Sequence, residues 1–419
     1  MPVPLKRIAK PSTNGDSHAA KAPPKPLNRL ANPARARSKT AHLPELALEP
    51  DLMGAIRSDI AALGLVGEGD AAALLYIAGT SRLLPEPLRL IINGPSGSGK
   101  SELPRRVVPL FPPEAVLTAT SITPNALYYM APGSLEHKLI VAGERKHRAD
   151  DEAADATGAM RQLISEGRIA KVVTFRNGDE FETKTIEQNG PVAYCETTTS
   201  SWIFKEDLNR CLLLRTDDSM EQTKKVLLAV ARRHSPSPDS EVVDSQVIIE
   251  RHQTFQRSLE PCMVTIPYAE ALADRMPTGR IETRRAITQV LATIEAIALL
   301  HQHQRERDKK GRLLANRYDY ATARGLLLKP LSESIGFSDS ATKAYDALKG
   351  KLPGEFDSIQ AEKAGRFNNR MTCHRALKEL AAMNVLRCVA RGKSHCPARW
   401  AWIGIGSDEL VLPRVEALF

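Results

Sequence analysis

The segment that most constrains this chain is Gly94-Pro95-Ser96-Gly97-Ser98-Gly99-Lys100-Ser101, preceded by the apolar run Leu88-Arg89-Leu90-Ile91-Ile92. That run reads as a buried strand, and a helical pattern follows Ser101. In this setting the pattern GxxxxGK[ST] directs successive backbone N–H groups at a phosphate beside a helix N-terminus. Lys100 is expected to reach the β- and γ-phosphates and Ser101 to offer its hydroxyl to Mg²⁺. The glycines let the backbone approach the ligand without a Cβ clash.

The sequence around the loop predicts an α/β fold. Between Gly99 and about Asp218, strand-like runs at Val116 to Thr120, Leu139 to Ala142, Val192 to Cys195 and Cys211 to Arg215 alternate with helical patterns. That alternation predicts a mostly parallel sheet flanked by helices. One part departs from it. After a helix that ends at Gly167, Ala170 to Phe175 and Glu180 to Ile186 read as strands joined around Asn177-Gly178, a strong hairpin signal.

The remaining sequence divides by composition. Residues 1–40 hold nine Lys/Arg against one acid, Asp16, so this segment carries +8 of the net +9 and leaves the rest of the chain at +1. With seven prolines and few large apolar residues it cannot bury enough surface to offset its ordering entropy, so 1–45 is expected to be a disordered basic arm. Such an arm either contacts nucleic-acid phosphates or serves as a solubilising tail.

Leu52 to Leu63 and Asp70 to Leu83 predict two N-terminal helices within 46–84, ahead of a core at 85–234. The polar break Ser235-Pro236-Ser237-Pro238-Asp239-Ser240 precedes mostly helical sequence over 241–330, where one long helix is expected from Ile281 to Arg307. Residues 332–405 read as three helices and two strands, followed by a C-terminal tail at 406–419.

No run approaches the eighteen apolar residues of a membrane span, and no N-terminal apolar stretch reads as a signal peptide. A cytoplasmic chain with no membrane partner is the expectation. The six cysteines are scattered without a CxxC pair, so no zinc site is assigned, although His374 and His395 lie near Cys373 and Cys396.

A hydrolase that uses such a loop also needs an acidic group at the end of a neighbouring strand to orient water. Leu139-Ile140-Val141-Ala142-Gly143-Glu144 supplies one, with Glu144 in that role. The usual pattern has Asp where Gly143 stands, and that Asp helps to hold the metal. Without it the metal depends on Ser101, the phosphates, water and Glu144 itself, which leaves slow turnover and binding without hydrolysis both open.

Over residues 88–330 this order of parts resembles an AAA+ ATPase of the minichromosome-maintenance type, as found in helicase-like proteins of phages and mobile elements. In that family the acidic strand is followed by a helix, a β-hairpin insertion that reaches a central pore, and a sensor strand. Met160 to Gly167, the hairpin around Asn177-Gly178, and Pro191-Val192-Ala193-Tyr194-Cys195-Glu196-Thr197 occupy those places. The resemblance makes Thr197 the polar sensor, with Thr198 and Thr199 as competitors. It makes Arg210, after Glu206-Asp207-Leu208-Asn209, an arginine that reaches the nucleotide of a neighbouring subunit, and Arg285 a second arginine carried by the helical lid. It therefore implies ATP and Mg²⁺ as ligands and a homo-oligomeric ring, expected to be a hexamer.

The C-terminal pattern resembles a winged helix-turn-helix. Arg370, Thr372 and Arg375 would meet a DNA groove, while Arg391 and Lys393 in a basic turn would meet phosphates. The leading expectation is an oligomeric DNA-dependent ATPase, a helicase or replication-initiation motor of a mobile element. A primase or other replication protein is its expected partner. The alternative is an AAA+ regulator that remodels or recruits a recombinase, transposase or primase without unwinding DNA. A small-molecule kinase with the same loop is the third reading, disfavoured by the arm, the hairpin and the C-terminal pattern.

Overall fold

The computed structural model describes residues 43–419, apart from 121, 124, 145–150, 178–179, 201–202, 204–206, 208–209, 236–243, 279–281, 336–338, 350, 368, 383–384, 393–396 and 404–410. The basic arm up to residue 42 and Lys393 lie outside the described residues.

The protein is α/β, built on a five-stranded parallel sheet flanked by helices. The strands are β1 (Arg89–Asn93), β2 (Val116–Ala119), β3 (Lys138–Glu144), β6 (Val192–Thr198) and β7 (Leu212–Arg215), in the order β2-β3-β6-β1-β7. Each strand that the apolar runs predicted is present. The loop strand β1 lies between β6 and β7, and β3 is one strand further away.

Strand alternation sorts the side chains onto two faces. Leu90, Ile92, Leu139, Val141, Ala193, Cys195, Leu212 and Leu214 enter one large core, whereas Ile91, Ile140, Tyr194 and Cys211 enter another. The second core is closed by Met160, Leu163 and Ile164 of α4 (Asp151–Glu166) and by Ile169. Ile169 begins the antiparallel hairpin of β4 (Arg168–Asn177) and β5 (Glu180–Asn189), which has the predicted position but longer arms.

On the first face, α1 (Leu52–Ala62) and α2 (Gly69–Thr80) are integral to the core. Every residue of α2 from Ala72 to Thr80 is buried, as expected of a helix that is apolar all round. α3 (Glu102–Val107), α5 (Met220–His234), α6 (Ser245–Ser258), α7 (Ala269–Asp274), α8 (Thr283–Leu300) and α9 (Arg317–Ile335) complete the helices up to residue 335 among the described residues. The helices expected as a lid share the core of α2 and the sheet: Phe255 of α6, Val290 and Ile297 of α8, and Tyr320 and Leu327 of α9 all lie in it.

α8 ends at Leu300, short of the expected Arg307. His301 turns back there, with Nδ1 2.8 Å from the Ile297 carbonyl oxygen. The following segment forms tight turns and then β9 (Leu313–Leu314), which pairs with β8 (Val264–Thr265).

The C-terminal segment comprises α10 (Asp339–Lys349), β10 (Phe356–Asp357), α11 (Ser358–Gly365), α12 (Arg370–Ala382), β11 (Leu386–Ala390) and β12 (Arg399–Trp402). Its three strands form an antiparallel sheet in the order β10-β12-β11, and its core around Leu348, Phe356, Leu377 and Trp400 is separate from the main one. The two-residue strand β10 is too short to leave a periodic signal. The tail then returns to the main core: Val411 and Leu412 are buried there, and Tyr320 Oη and Arg324 Nε donate hydrogen bonds to the Pro413 carbonyl at 2.7 and 2.8 Å.

Candidate functional site

All five strands of the sheet are parallel, so their C-terminal ends open on the same edge, and in open parallel sheets ligands bind outside that edge. The loop after β1 stands there. Gly97 and Gly99 take φ values of +83° and +87°, which L side chains rarely adopt. Gly94 is glycine for a different reason: a Cβ there would lie 2.0 Å from Thr216 Oγ1 and 2.5 Å from Ser98 Oγ. Those two hydroxyls are themselves 2.7 Å apart, so Thr216, at the end of β7, braces the loop. Asn93 Nδ2 donates to the Ser200 carbonyl at 2.9 Å and ties the loop to the end of β6.

Lys100 retains only 6% of its exposure, and among the described residues it has no ion pair. Burying an ammonium without a carboxylate is costly unless an anion joins it. Ser101 is exposed and its side chain makes no capping hydrogen bond to α3, which leaves its oxygen available.

A cleft of about 450 Å³ opens beside Pro95 to Gly99, within the range of small-molecule pockets. Leu65 and Val66 of the α1–α2 turn form one apolar wall, and Val226, Leu227 and Val230 of α5 form another. The walls are tied together. Gln222 Nε2 donates to the Val66 carbonyl at 2.7 Å, Arg233 Nη2 to the Gly64 carbonyl at 3.2 Å, and the Asp217 N–H to Glu68 Oε1 at 2.6 Å. Burial raises the Glu68 carboxyl above its ordinary pKa. Sequence reasoning missed this cleft, although Leu65-Val66 between glycines and the apolar stripe of α5 were its signals.

Glu144 stands at the end of β3 on the same edge of the sheet. The hydroxyl that reaches it is that of Thr199, whose Oγ1 donates to Glu144 Oε1 at 2.6 Å. Thr197 is buried inside β6, opposite both Ile92 and Glu144 in the register. Thr198 is fully buried, and its carbonyl accepts from the Gly94 N–H.

Arg210 lies at the other end of the sheet. Leu212, two residues later, begins β7 level with Leu90 near the start of β1, so Arg210 comes before the end of β7 that lies away from the loop. The length of β7 therefore stands between it and the loop of its own chain. Its turn is fastened to α4 by Arg161, whose Nε and Nη2 donate to Asp207 Oδ1 and Oδ2 at 2.7 and 3.1 Å. Arg285 is exposed in the first turn of α8 and is not among the residues lining the cleft.

In the C-terminal segment Arg370, Arg375 and Arg391 are exposed. Thr372 is engaged locally: its N–H and hydroxyl both donate to Asn369 Oδ1, at 2.8 and 2.9 Å, so the Asn369 side chain caps α12. Arg370, Met371, His374 and Gly392 line a cleft of about 380 Å³ between the first turn of α12 and the β11–β12 turn. Cys373 lies at its base, and burial pushes its thiol up to about 11. Among the described residues no group of three or more His, Cys, Asp or Glu is placed to hold a metal ion, and no helix is long and apolar enough to cross a membrane.

Compared with known proteins, the chain matches no protein-family model, and no curated protein matches its sequence.

Proposed function

We propose that this protein is an AAA+ ATPase that acts on DNA as a homo-oligomer. The observation that carries the reading is Lys100, buried without a counter-charge in a loop whose two positive-φ glycines face a 450 Å³ cleft. A nucleoside triphosphate fits that chemistry. Its phosphates would lie along Pro95 to Gly99, next to Lys100 in the sequence, and its base between Leu65-Val66 and Val226-Leu227-Val230. An apolar slot of that kind accepts the faces of a flat aromatic ring.

Mg²⁺ fits the donors present, because the Ser101 hydroxyl and the Glu144 carboxylate are hard oxygen ligands at one edge of the sheet. When bound, the ion would neutralise charge on the phosphates. Arg210, at the opposite edge, meets a nucleotide only across an interface with a second copy, which supports assembly into a ring. The exposed arginines of α12 and the β11–β12 turn support a winged-helix contact with DNA.

The test is the ATPase rate with single-stranded, double-stranded and no DNA, together with particle size in ATP. Stimulation by DNA and growth to a ring are expected. No nucleotide turnover under any condition would remove the reading. Strand displacement on forked duplexes separates the two modes of action: unwinding identifies a helicase, and DNA-stimulated ATPase without unwinding identifies a regulator of another DNA-processing protein.

A further inference from the structure

The end of β3 is irregular where the carboxylate stands. From Lys138 to Ala142 the strand runs in step with Val192 to Glu196 of β6, but the residue opposite Thr197 is then Glu144 rather than Gly143. One extra residue has entered β3, which is a β-bulge. Bulges of this kind re-aim the side chain that follows.

The change of aim follows from the alternation of faces. Leu139 and Val141, like Ala193, Cys195 and Ile92, face the core that contains Leu103 and Val107 of α3; Ile140 and Tyr194 face the opposite core. In an unbroken strand position 143 would continue on the α3 side and position 144 would point to the other. The bulge moves Glu144 into the place opposite Thr197, which is opposite Ile92, on the side where Ser101 leads into α3. Thr199, the first residue after β6, donates to the displaced carboxylate at 2.6 Å.

Gly143 cannot supply a carboxylate itself. A Cβ there would lie 2.6 Å from the Thr120 carbonyl oxygen, 2.9 Å from its Cα and 3.1 Å from its carbonyl carbon. These are backbone atoms that cannot rotate away. Glycine at 143 and the displaced Glu144 therefore belong to one device.

Taking the nucleotide reading above as its basis, we infer that Glu144 is the metal-side carboxylate of this site. It stands in for the acid that position 143 cannot hold and acts together with the Ser101 hydroxyl. Thr199 holds Oε1, and among the described residues Oε2 has no protein partner, so one oxygen is positioned by a hydroxyl and the other is not. Glu144 thus governs how much a divalent cation tightens nucleotide binding as well as hydrolysis.

The test measures binding of ATPγS to the full chain, with Mg²⁺ and with EDTA, for wild type and for Glu144→Gln. Glutamine keeps the size and the hydrogen bond from Thr199 but removes the charge. Wild type is expected to bind at least about tenfold more tightly with Mg²⁺, and Glu144→Gln to lose that gain while matching wild type in EDTA, which also controls for folding. Mn²⁺ retained with the nucleotide, read by electron paramagnetic resonance, should fall in parallel. If Glu144→Gln keeps the full gain from Mg²⁺ and loses only turnover, Glu144 serves the water alone and the inference is overturned. If wild type binds no ATPγS in either condition, the nucleotide reading fails first and the inference fails with it.

Discussion

Gly143→Ala tests the steric argument directly, because the added methyl is the only change. Carbon atoms in non-bonded contact settle at about 3.5–4.0 Å, so a Cβ placed 2.9 Å from Thr120 Cα must move by roughly 0.6–1.1 Å. The adjoining pairs hinder that movement, since Ala119 is held opposite Ala142 in the ladder immediately before. Overpacking of this kind costs about 1–3 kcal/mol. At ~2–4 °C per kcal/mol for a sizeable domain, the melting temperature should fall by about 2–12 °C in a scanning fluorescence or calorimetric measurement. Gly158→Ala is the paired control. Gly158 lies within α4, where an added methyl would meet nothing within 4 Å, so alanine there should raise stability by up to ~1 kcal/mol. A Gly143→Ala protein that melts within a degree of wild type and keeps its Mg²⁺-dependent nucleotide affinity would show that Thr120 yields and that glycine is not required.

Lys100→Ala should abolish ATP binding and Arg210→Ala should abolish turnover while nucleotide still binds; mixing the two inactive proteins should restore a fraction of the ATPase rate. Restoration arises only at interfaces that join an intact loop to an intact Arg210, so no recovery in mixed oligomers would exclude action in trans. Glu295 makes a pH prediction, because burial, with Glu86 adding a smaller like-charge contribution, pushes its carboxyl up to about 7. The folded state holds this proton more tightly than the unfolded chain, so the stabilisation is full below about 4.5 and is lost as pH rises through about 7. Glu295→Gln should flatten that part of the melting-temperature profile, and an unchanged slope would refute it. Arg375→Ala should weaken DNA binding similarly across sequences and lower the slope of log affinity against log salt by about 1, measured by fluorescence anisotropy; an unchanged slope would remove Arg375 from the phosphate contacts.

The parts of the fold that were legible in the sequence are those whose signal is local. Leu88 to Ile92, Leu139 to Ala142 and Val192 to Cys195 are buried on both faces and so read as continuous apolar runs, and Asn177-Gly178 announces its hairpin by turn chemistry. The place of α2 was not legible, because an all-apolar helix says that it is buried without saying against what. The same holds for α6, α8 and α9, whose apolar faces suit a separate lid as well as the shared core they occupy. In the candidate site, the loop declares itself through residue identity. The bulge at Gly143 does not, because it depends on the distance to Thr120 across a strand boundary. Thr199 was hidden for a related reason: three consecutive threonines are equivalent in sequence, and only the register and the end of β6 select the one that reaches Glu144.

The direction of the sheet explains why one chain holds only part of the proposed site. In a parallel sheet every strand delivers its last residues to the same edge, so the loop, Glu144, Thr199 and Thr216 gather there without long connections. A residue that precedes a strand is delivered to the far edge, and Arg210 precedes β7. The full length of β7, about 13 Å for four residues at ~3.3 Å each, lies between it and the loop edge, and its position is anchored by the Arg161–Asp207 pair, whose side chains are largely buried. A second copy that presents its far edge to the cleft of the first removes that distance. The geometry within one chain therefore ties the role of Arg210 to assembly: if the protein hydrolyses ATP as a monomer at the same rate as in oligomers, Arg210 has no part in the reaction.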